Sequence, residues 1–183
     1  MGQLYMLINI DRCWGCKSCT VACKQNRGLP PGDLSPISIA RIETQGEEGA
    51  ACDFIPVACQ HCADPACMAV CPMQAIFVDE EGLVRIRPER CIGCGKCAGA
   101  CPYGAISIRK KEKGREAYKC DLCVQRRADG GKTACEQHCP GGVFRCTGEE
   151  EAEAFRKTMK YTYSVGHVIY GSNILSELGV QPN

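Results

Sequence analysis

A chain of 183 residues has room for one or two compact domains, and 45% hydrophobic residues can supply a core. Aromatic residues are only 6%, whereas 18 cysteines approach one residue in ten, the density of a chain stapled by disulfides, zinc or iron–sulfur clusters. A formal net charge of +1 excludes both the strongly basic balance of a nucleic-acid binder and an acidic tail.

The opening "MGQLYMLINI" has no basic stretch before a long apolar run, no small-residue cleavage site and no twin arginine, so no secretory leader is expected. No segment approaches 18 uninterrupted apolar residues, so no membrane-spanning helix is expected either. The expected compartment is the cytoplasm, with the periplasm reached only by export alongside a folded partner. Cytoplasmic thiols stay reduced, which favours metal over disulfides.

Along the chain, "MLINIDRC" reads as a short strand entering a first cysteine loop, Cys13, Cys16, Cys19 and Cys23, spaced C-x2-C-x2-C-x3-C. Trp14, inside this loop, is expected to shield the bound group from water. Gly46 and Gly49 read as a loop. Cys52, seven residues before the next quartet, reads as a buried strand position. The second quartet is Cys59, Cys62, Cys67 and Cys71, with "ADPA" in a widened middle gap. "IFVDEEGLVRI" then reads as a hairpin turning at Asp79 to Gly82. "VRIRPERC" repeats the acid-Arg-Cys ending of "MLINIDRC" and leads into Cys91, Cys94, Cys97 and Cys101, again plainly spaced. "RKKEKGR" at 109 to 115 reads as solvated loop charge, or as charge that offsets a negative cofactor. In the fourth quartet, Cys120, Cys123, Cys135 and Cys139, the middle gap holds "VQRRADGGKTA", whose glycine pair marks a surface turn.

"CPMQAIFV", "CPYGAISI" and "CPGGVFRC" are three copies of one pattern, in which proline turns the chain after the cysteine and an apolar pair follows. Cys146 falls at the position of Val78 and Ile108, so it reads as a core residue. The tail "TGEEEAEAFRKTMKY" reads as a helix with a capping box at Thr147 and Glu150, acids first and bases last. Its apolar stripe is Phe155, Met159 and Tyr163. "YTYSVGHVIYGSNILSEL", with Ile169, Tyr170, Ile174 and Leu175, reads as a strap over the chain's own surface or as a docking surface.

Cysteines three apart in a tight loop aim their sulfurs at one point. The last cysteine of each plain quartet lies one turn on, displaced by roughly 6 Å along a helix, and tends to ligate the other cluster of a pair. A structural zinc site shows separated knuckles or mixes in histidine, and C-x3-C-P endings fit it poorly. His61 and His138 neighbour quartets that are complete without them, so they read as hydrogen-bonding near a cofactor or facing solvent; His167 carries no partner signal. Four [4Fe–4S]2+ clusters on thiolates would shift the net charge to about −7. No phosphate loop, nucleophile elbow or dinucleotide motif is present, so no catalytic residue is assigned.

"CKSCTVACK", "PVACQHCADPAC", "CIGCGKCAGACPYGAI" and "YKCDLCVQRR" resemble the four-cluster electron-transfer subunit of the dimethyl sulfoxide reductase family, over residues 3 to 146. Similar polyferredoxins accompany tungsten-dependent aldehyde oxidoreductases. The resemblance implies an α+β fold of two nested bacterial-ferredoxin-like modules, short strands and helices around four [4Fe–4S] clusters. The outer module would comprise residues 1–51 plus 110–146 and the inner one 52–109, with a C-terminal helix and docking tail at 147–183. The implied ligand sets are crossed. They are Cys59, Cys62, Cys67 with Cys101; Cys91, Cys94, Cys97 with Cys71; Cys13, Cys16, Cys19 with Cys139; and Cys120, Cys123, Cys135 with Cys23. No ligand is missing, unlike in relatives that carry a three-iron cluster. "TACEQHCP" departs from the family, which often has proline before the third cysteine.

The implied role is a relay between a large molybdenum- or tungsten-pterin catalytic subunit and a further redox partner, which could be a membrane anchor, a flavoprotein or a ferredoxin. A free-standing polyferredoxin, a maturation accessory protein and a structural zinc protein are the alternatives. In an aromatic-poor chain the clusters would also be the staples, so loss of metal is expected to unfold it.

Overall fold

The structure, a computed structural model, describes residues 2–46, 49–112 and 114–174. Strand β1 (Leu4–Asn9) buries Tyr5 and Leu7 on one side and Met6 and Ile8 on the other. A strand apolar on both faces belongs inside a sheet. Its neighbours are an antiparallel strand at Phe144–Gly148 and a parallel one at Val168–Ser172; Met6 sits between Cys146 and Val168.

Three hairpins, one long and two short, lie between the first and last of these strands in sequence. β2 (Ile37–Gly46) pairs with β3 (Gly49–Ala58) from Ile37 opposite Ala58 out to Gly46 opposite Gly49. The glycines expected to be a loop therefore close a long hairpin. Cys52, expected in the core, is exposed opposite Glu43. The reason is distance along the hairpin: Ile37 at its base is buried, whereas Ile42 is already exposed. β4 (Ile76–Val78) and β5 (Val84–Ile86) form the hairpin read from the sequence. The Asp79 carboxylate accepts N–H bonds from Glu81 (3.0 Å) and Leu83 (2.9 Å) across its turn.

β6 (Ser107–Lys110) pairs with β7 (Arg115–Tyr118), so Arg109, Lys110 and Arg115 of the basic run lie in strands. Arg109 and Lys111 both pair with the buried carboxylate of Glu116, so charge expected to offset a cofactor is neutralised within the hairpin.

The five helices carrying or following cysteines are short: α1 (Ser18–Asn26), α2 (Ala66–Ala69), α3 (Lys96–Ala100), α4 (Val124–Ala128) and α5 (Ala134–Gln137). The chain then forms β8 (Phe144–Gly148), α6 (Glu149–Thr158), β9 (Tyr161–Val165) and β10 (Val168–Ser172), giving a sheet of order β8–β1–β10–β9. The architecture is α+β, built from tandem short β-α-β ferredoxin-like units.

The tail is thus a sheet component rather than a strap. α6 has its acids first and bases last, as expected, but it starts after Gly148 and has no capping box. The Thr147 hydroxyl instead donates to Glu151 at 2.7 Å. Phe155 and Met159 lie over Gly171, where a Cβ would stand 2.6 Å from each, while Tyr163 belongs to β9, off the helical stripe. Leu175 lies outside the described residues.

Three apolar clusters follow from this layout. Met6, Ile8, Leu122, Phe144 and Val168 gather with Cys19 and Cys23 on one face of the sheet. Tyr5, Leu7 and Ile169 meet Ala152 and Phe155 on the other. Ile76, Val84, Ile106 and Ala117 surround Cys67 and Cys97 between the small hairpins. Ile169 has no solvent exposure, so Ile169→Ala should cost about 2–5 kcal/mol, read as a lower thermal midpoint of the anaerobically held protein.

Candidate metal centres

Each quartet begins with the same backbone device. The residue before its second cysteine is left-handed: Gly15 (φ +71°), His61 (+48°), Gly93 (+64°) and Leu122 (+49°). This reverses the loop so that successive sulfurs face inward. Only two of the four positions are glycine, so His61 and Leu122 hold a strained conformation that burial stabilises. Gly93 is doubly required, because a Cβ there would stand 2.5 Å from the carbonyl oxygen of Arg115 on β7.

The Cys-Pro repeats have a second device. Gln74, Gly104 and Gly142 are left-handed, and the turn brings a backbone N–H back to the cysteine four residues earlier. Ala75 donates to Cys71 Sγ at 3.3 Å, Ala105 to Cys101 Sγ at 3.4 Å and Val143 to Cys139 Sγ at 3.4 Å. Ala117 and Ala134 do the same for Cys91 and Cys123, at 3.3 and 3.4 Å. Amide donors stabilise negative charge on sulfur. Such bonds fit thiolate ligation. Cys23, which lacks the following proline, instead sits inside α1. In the segment that departs from the family pattern, Thr133 caps α5, its hydroxyl accepting the Glu136 N–H at 3.4 Å.

α1 packs on α5 and α2 on α3, which brings the first quartet to the fourth and the second to the third. The thiols sense one another accordingly. Burial pushes Cys19 up to about 11, and Cys13 and Cys139 add to it. Burial likewise raises Cys67 to about 11, with Cys59, Cys101 and Cys62 adding. Cys97 is raised by burial and then by Cys91, Cys71 and Cys94. Cys135 is pushed up to about 12 by burial, with Cys123 and Cys23 among the added causes. In each of these cases the charge of another quartet's last cysteine acts on the thiol.

A cavity lined by Cys71, Cys91, Cys94 and Cys97 is walled by Ile76 and Ile86. A second, lined by Cys23, Cys120, Cys123 and Cys135, is walled by Ile8 and Phe144. Among the described residues no three His, Cys, Asp or Glu gather tightly enough for one metal ion. Tetrahedral zinc would need its sulfurs about 3.8 Å apart; a polynuclear cluster spreads them wider.

Neighbouring side chains correct several expectations. Trp14 is 62% exposed, although its side chain reaches the Cys16 thiol, and the ring packed against Gly15 is that of Phe54. His61 is fully buried, with no partner for either ring nitrogen among the described residues. His138 Nδ1 lies 3.0 Å from the Ala134 carbonyl. His167 has a structural place that its sequence gave no sign of: it stacks on Tyr5 and its Nδ1 lies 2.6 Å from the Leu4 carbonyl. Cys146 packs against the core as expected. Lys119, buried beside Cys120, escapes a reading of the sequence because lysine next to a ligand looks like surface charge. No helix among the described residues is long and apolar enough to cross a membrane.

A family model described as a 4Fe-4S dicluster domain matches residues 50–149, and one described as a 4Fe-4S binding domain matches residues 10–26. The sequence is 38% identical over 139 residues to the B subunit of tetrathionate reductase from Salmonella typhimurium, a match that covers 75% of the present protein and only 55% of that relative. It is 35% identical over 160 residues to the thiosulfate reductase electron transfer subunit PhsB of Salmonella typhi, covering 84% and 80%. The B subunit of anaerobic dimethyl sulfoxide reductase from Escherichia coli is 38% identical over 149 residues, covering 75% and 70%.

The loop geometry separates two glycines. Gly95 (φ +83°) has nothing within 4 Å of its would-be Cβ, so Gly95→Ala should cost only the left-handed strain of about 1–2 kcal/mol. Gly93→Ala adds a backbone clash and should cost more and lower iron retention, as read by thermal unfolding and iron assay side by side.

Proposed function

This protein belongs to the 4Fe-4S dicluster family of electron-transfer subunits, and on that premise we propose that it relays single electrons between a molybdenum- or tungsten-pterin catalytic subunit and a second redox partner. The observation that carries this reading is the interlocked grouping of the sixteen cysteines with an exposed sulfur in two separate groups. Cys16 and Cys94 are exposed, whereas the groups of Cys59 and Cys120 offer no exposed cysteine. Large apolar side chains stand open beside both exposed sulfurs: Trp14 and Val21 near the first, Met73 and Ile92 near the second. Two exits suit two partners.

In this reading four [4Fe–4S] clusters are held by Cys13, Cys16, Cys19 and Cys139; by Cys120, Cys123, Cys135 and Cys23; by Cys59, Cys62, Cys67 and Cys101; and by Cys91, Cys94, Cys97 and Cys71. When bound, they supply one-electron storage and nothing more. The chain's own part is to hold the sulfurs, donate amides to them and keep water from the inner pair; it contributes no catalytic residue. Residues 1–51 with 110–146 form the outer ferredoxin-like module and 52–109 the inner one, nested within it. In the segment 147–183, read as a C-terminal helix and docking tail, β9 and β10 complete the sheet and leave β9 as an edge that a docking partner would meet. The second partner is a membrane anchor, a flavoprotein or a ferredoxin, and the compartment is the cytoplasm, or the periplasm if the chain is exported with a partner.

An anaerobic pull-down of the chain from its native cell, with molybdenum, tungsten and zinc assayed, tests this. Iron together with a large subunit and stoichiometric molybdenum or tungsten is expected. Iron without either heavy metal or companion would make the chain a free polyferredoxin, and zinc alone would end the redox reading. Cys101→Ser should alter the electron paramagnetic resonance signal of the cluster on Cys59, Cys62 and Cys67. Damage confined to the cluster on Cys91, Cys94 and Cys97 would contradict the crossed ligation.

A further inference from the structure

On the reading above, an electron changes module where the second quartet faces the fourth. Cys59 lines the same cavity as Cys23, Cys120, Cys123 and Cys135, so these two sets are neighbours across the boundary. Two modules of one chain move relative to each other unless a specific interface holds them. Here the turn between β9 and β10, in the C-terminal segment, is wedged against both.

His167, buried in that turn, holds the two modules at once. Towards the outer one its carbonyl accepts the Met6 N–H at 2.8 Å and its ring stacks on Tyr5. Its Nδ1 lies 2.6 Å from the Leu4 carbonyl, which makes that nitrogen the donor. Towards the inner module its N–H donates to the Gln60 carbonyl at 2.9 Å. Its ring edge covers Gly82 (φ +79°), where a Cβ would stand 2.6 Å from Cε1 and 2.8 Å from Nε2. The preceding residue is seated as tightly: a Cβ on Gly166 (φ +51°) would stand 2.4 Å from the His61 carbonyl oxygen and 2.5 Å from that of Gln60. Gln60 directly follows Cys59, and its side-chain amide donates to the Tyr170 hydroxyl on β10 at 2.9 Å. Glu81, beside Gly82, closes the other side of the boundary by accepting two bonds from the Arg127 guanidinium of α4, at 3.0 and 2.7 Å.

We infer that the β9–β10 turn is the clamp between the two modules and that His167 is its positioning residue. It fixes the gap between the cluster on Cys59, Cys62, Cys67 and Cys101 and the cluster on Cys120, Cys123, Cys135 and Cys23. The inference rests on the cluster reading above. Across that gap one electron leaves a reduced [4Fe–4S]+ core and reduces the neighbouring [4Fe–4S]2+ core, with no bond or proton changed. The chain supplies no reacting group to this step, so the separation of the two clusters is what its residues can set. A tail read as a docking element thereby takes part in the relay itself.

The test uses the full-length, iron-loaded chain, fully reduced under anaerobic conditions, in electron paramagnetic resonance. Reduced clusters at short range split one another's signals, and splitting across the clamp is the component that two separate pairs of clusters do not reproduce. His167→Ala should keep its iron and lose that component, leaving the spectrum of two independent pairs. Gly82→Ala, which drives a methyl group into the same ring from the inner module, should do the same. Ile169→Ala is the control. Ile169 is buried with Leu7 and Ala152 on the sheet face opposite Tyr170, so its truncation should lower stability and leave the splitting as in wild type. Full iron with the wild-type spectrum in His167→Ala, or the same loss in Ile169→Ala, would overturn the inference. So would an iron-loaded wild type that already fits two independent pairs. Should His167→Ala lose iron, Gly82→Ala decides: iron kept with the splitting gone supports the clamp, and an unchanged spectrum or equal iron loss refutes it. Wild-type protein without iron would instead refute the cluster reading itself.

Discussion

On the proposed ligation, every cysteine loop in this chain is one sulfur short of the group it surrounds. Three thiols converge where the backbone turns left-handed, at Gly15, His61, Gly93 and Leu122, and a fourth has to arrive from another loop. That requirement organises the molecule. Cys139 can reach the first loop only if the chain returns beside β1, and β8 does so by pairing along its whole length. Cys23 and Cys135 meet because α1 packs on α5, and Cys71 meets the third loop because α2 packs on α3. The hairpins and short helices are the shortest connections that allow these returns. Regular structure alone would not sustain them: helices of four or five residues are far below the length at which a helix is stable by itself.

The cysteine framework was legible in the sequence because its information is local. Spacing within a loop, the proline after Cys71, Cys101 and Cys139, and the Asp79 turn all act within a few residues. The amide bonds to Cys71, Cys101 and Cys139 follow from the same repeat. What escaped depended on distant partners. His167 is defined by Leu4 and Tyr5, at the opposite end of the chain. The tail looked like a strap because a parallel strand pairing such as Met6 with Val168 leaves no local mark. Cys52 alternates correctly for a strand, but periodicity does not say how far a hairpin projects beyond the core. Trp14 shows the limit of reading residue type alone: an aromatic beside a ligand is as much a docking residue as a shield.

Charge links the fold to its role. The chain is nearly neutral in amino acids, yet four bound clusters would add about eight negative charges. Several basic side chains near the loops are matched: Arg109 and Lys111 with Glu116, Arg85 with Asp79, Arg127 with Glu81, Arg27 with Asp121. Backbone N–H groups aimed at sulfur take up part of the surplus. This is how one repeated loop can give clusters of different potential. The ligands are alike in all four, and the differences lie in burial and in which sulfurs receive an N–H. On the proposed reading, the exposure of Cys16 and Cys94 marks where electrons would enter and leave.

The central claim is that sixteen cysteines hold four cubane clusters in crossed sets. Iron and sulfide analysis with Mössbauer spectroscopy of the 57Fe-labelled chain, purified anaerobically, addresses it most directly. The account predicts about sixteen irons and sixteen sulfides per chain, all in the signature of [4Fe–4S] with tetrahedral sulfur around each iron. Mononuclear iron, a stoichiometric zinc content, or iron well short of four full clusters would contradict it.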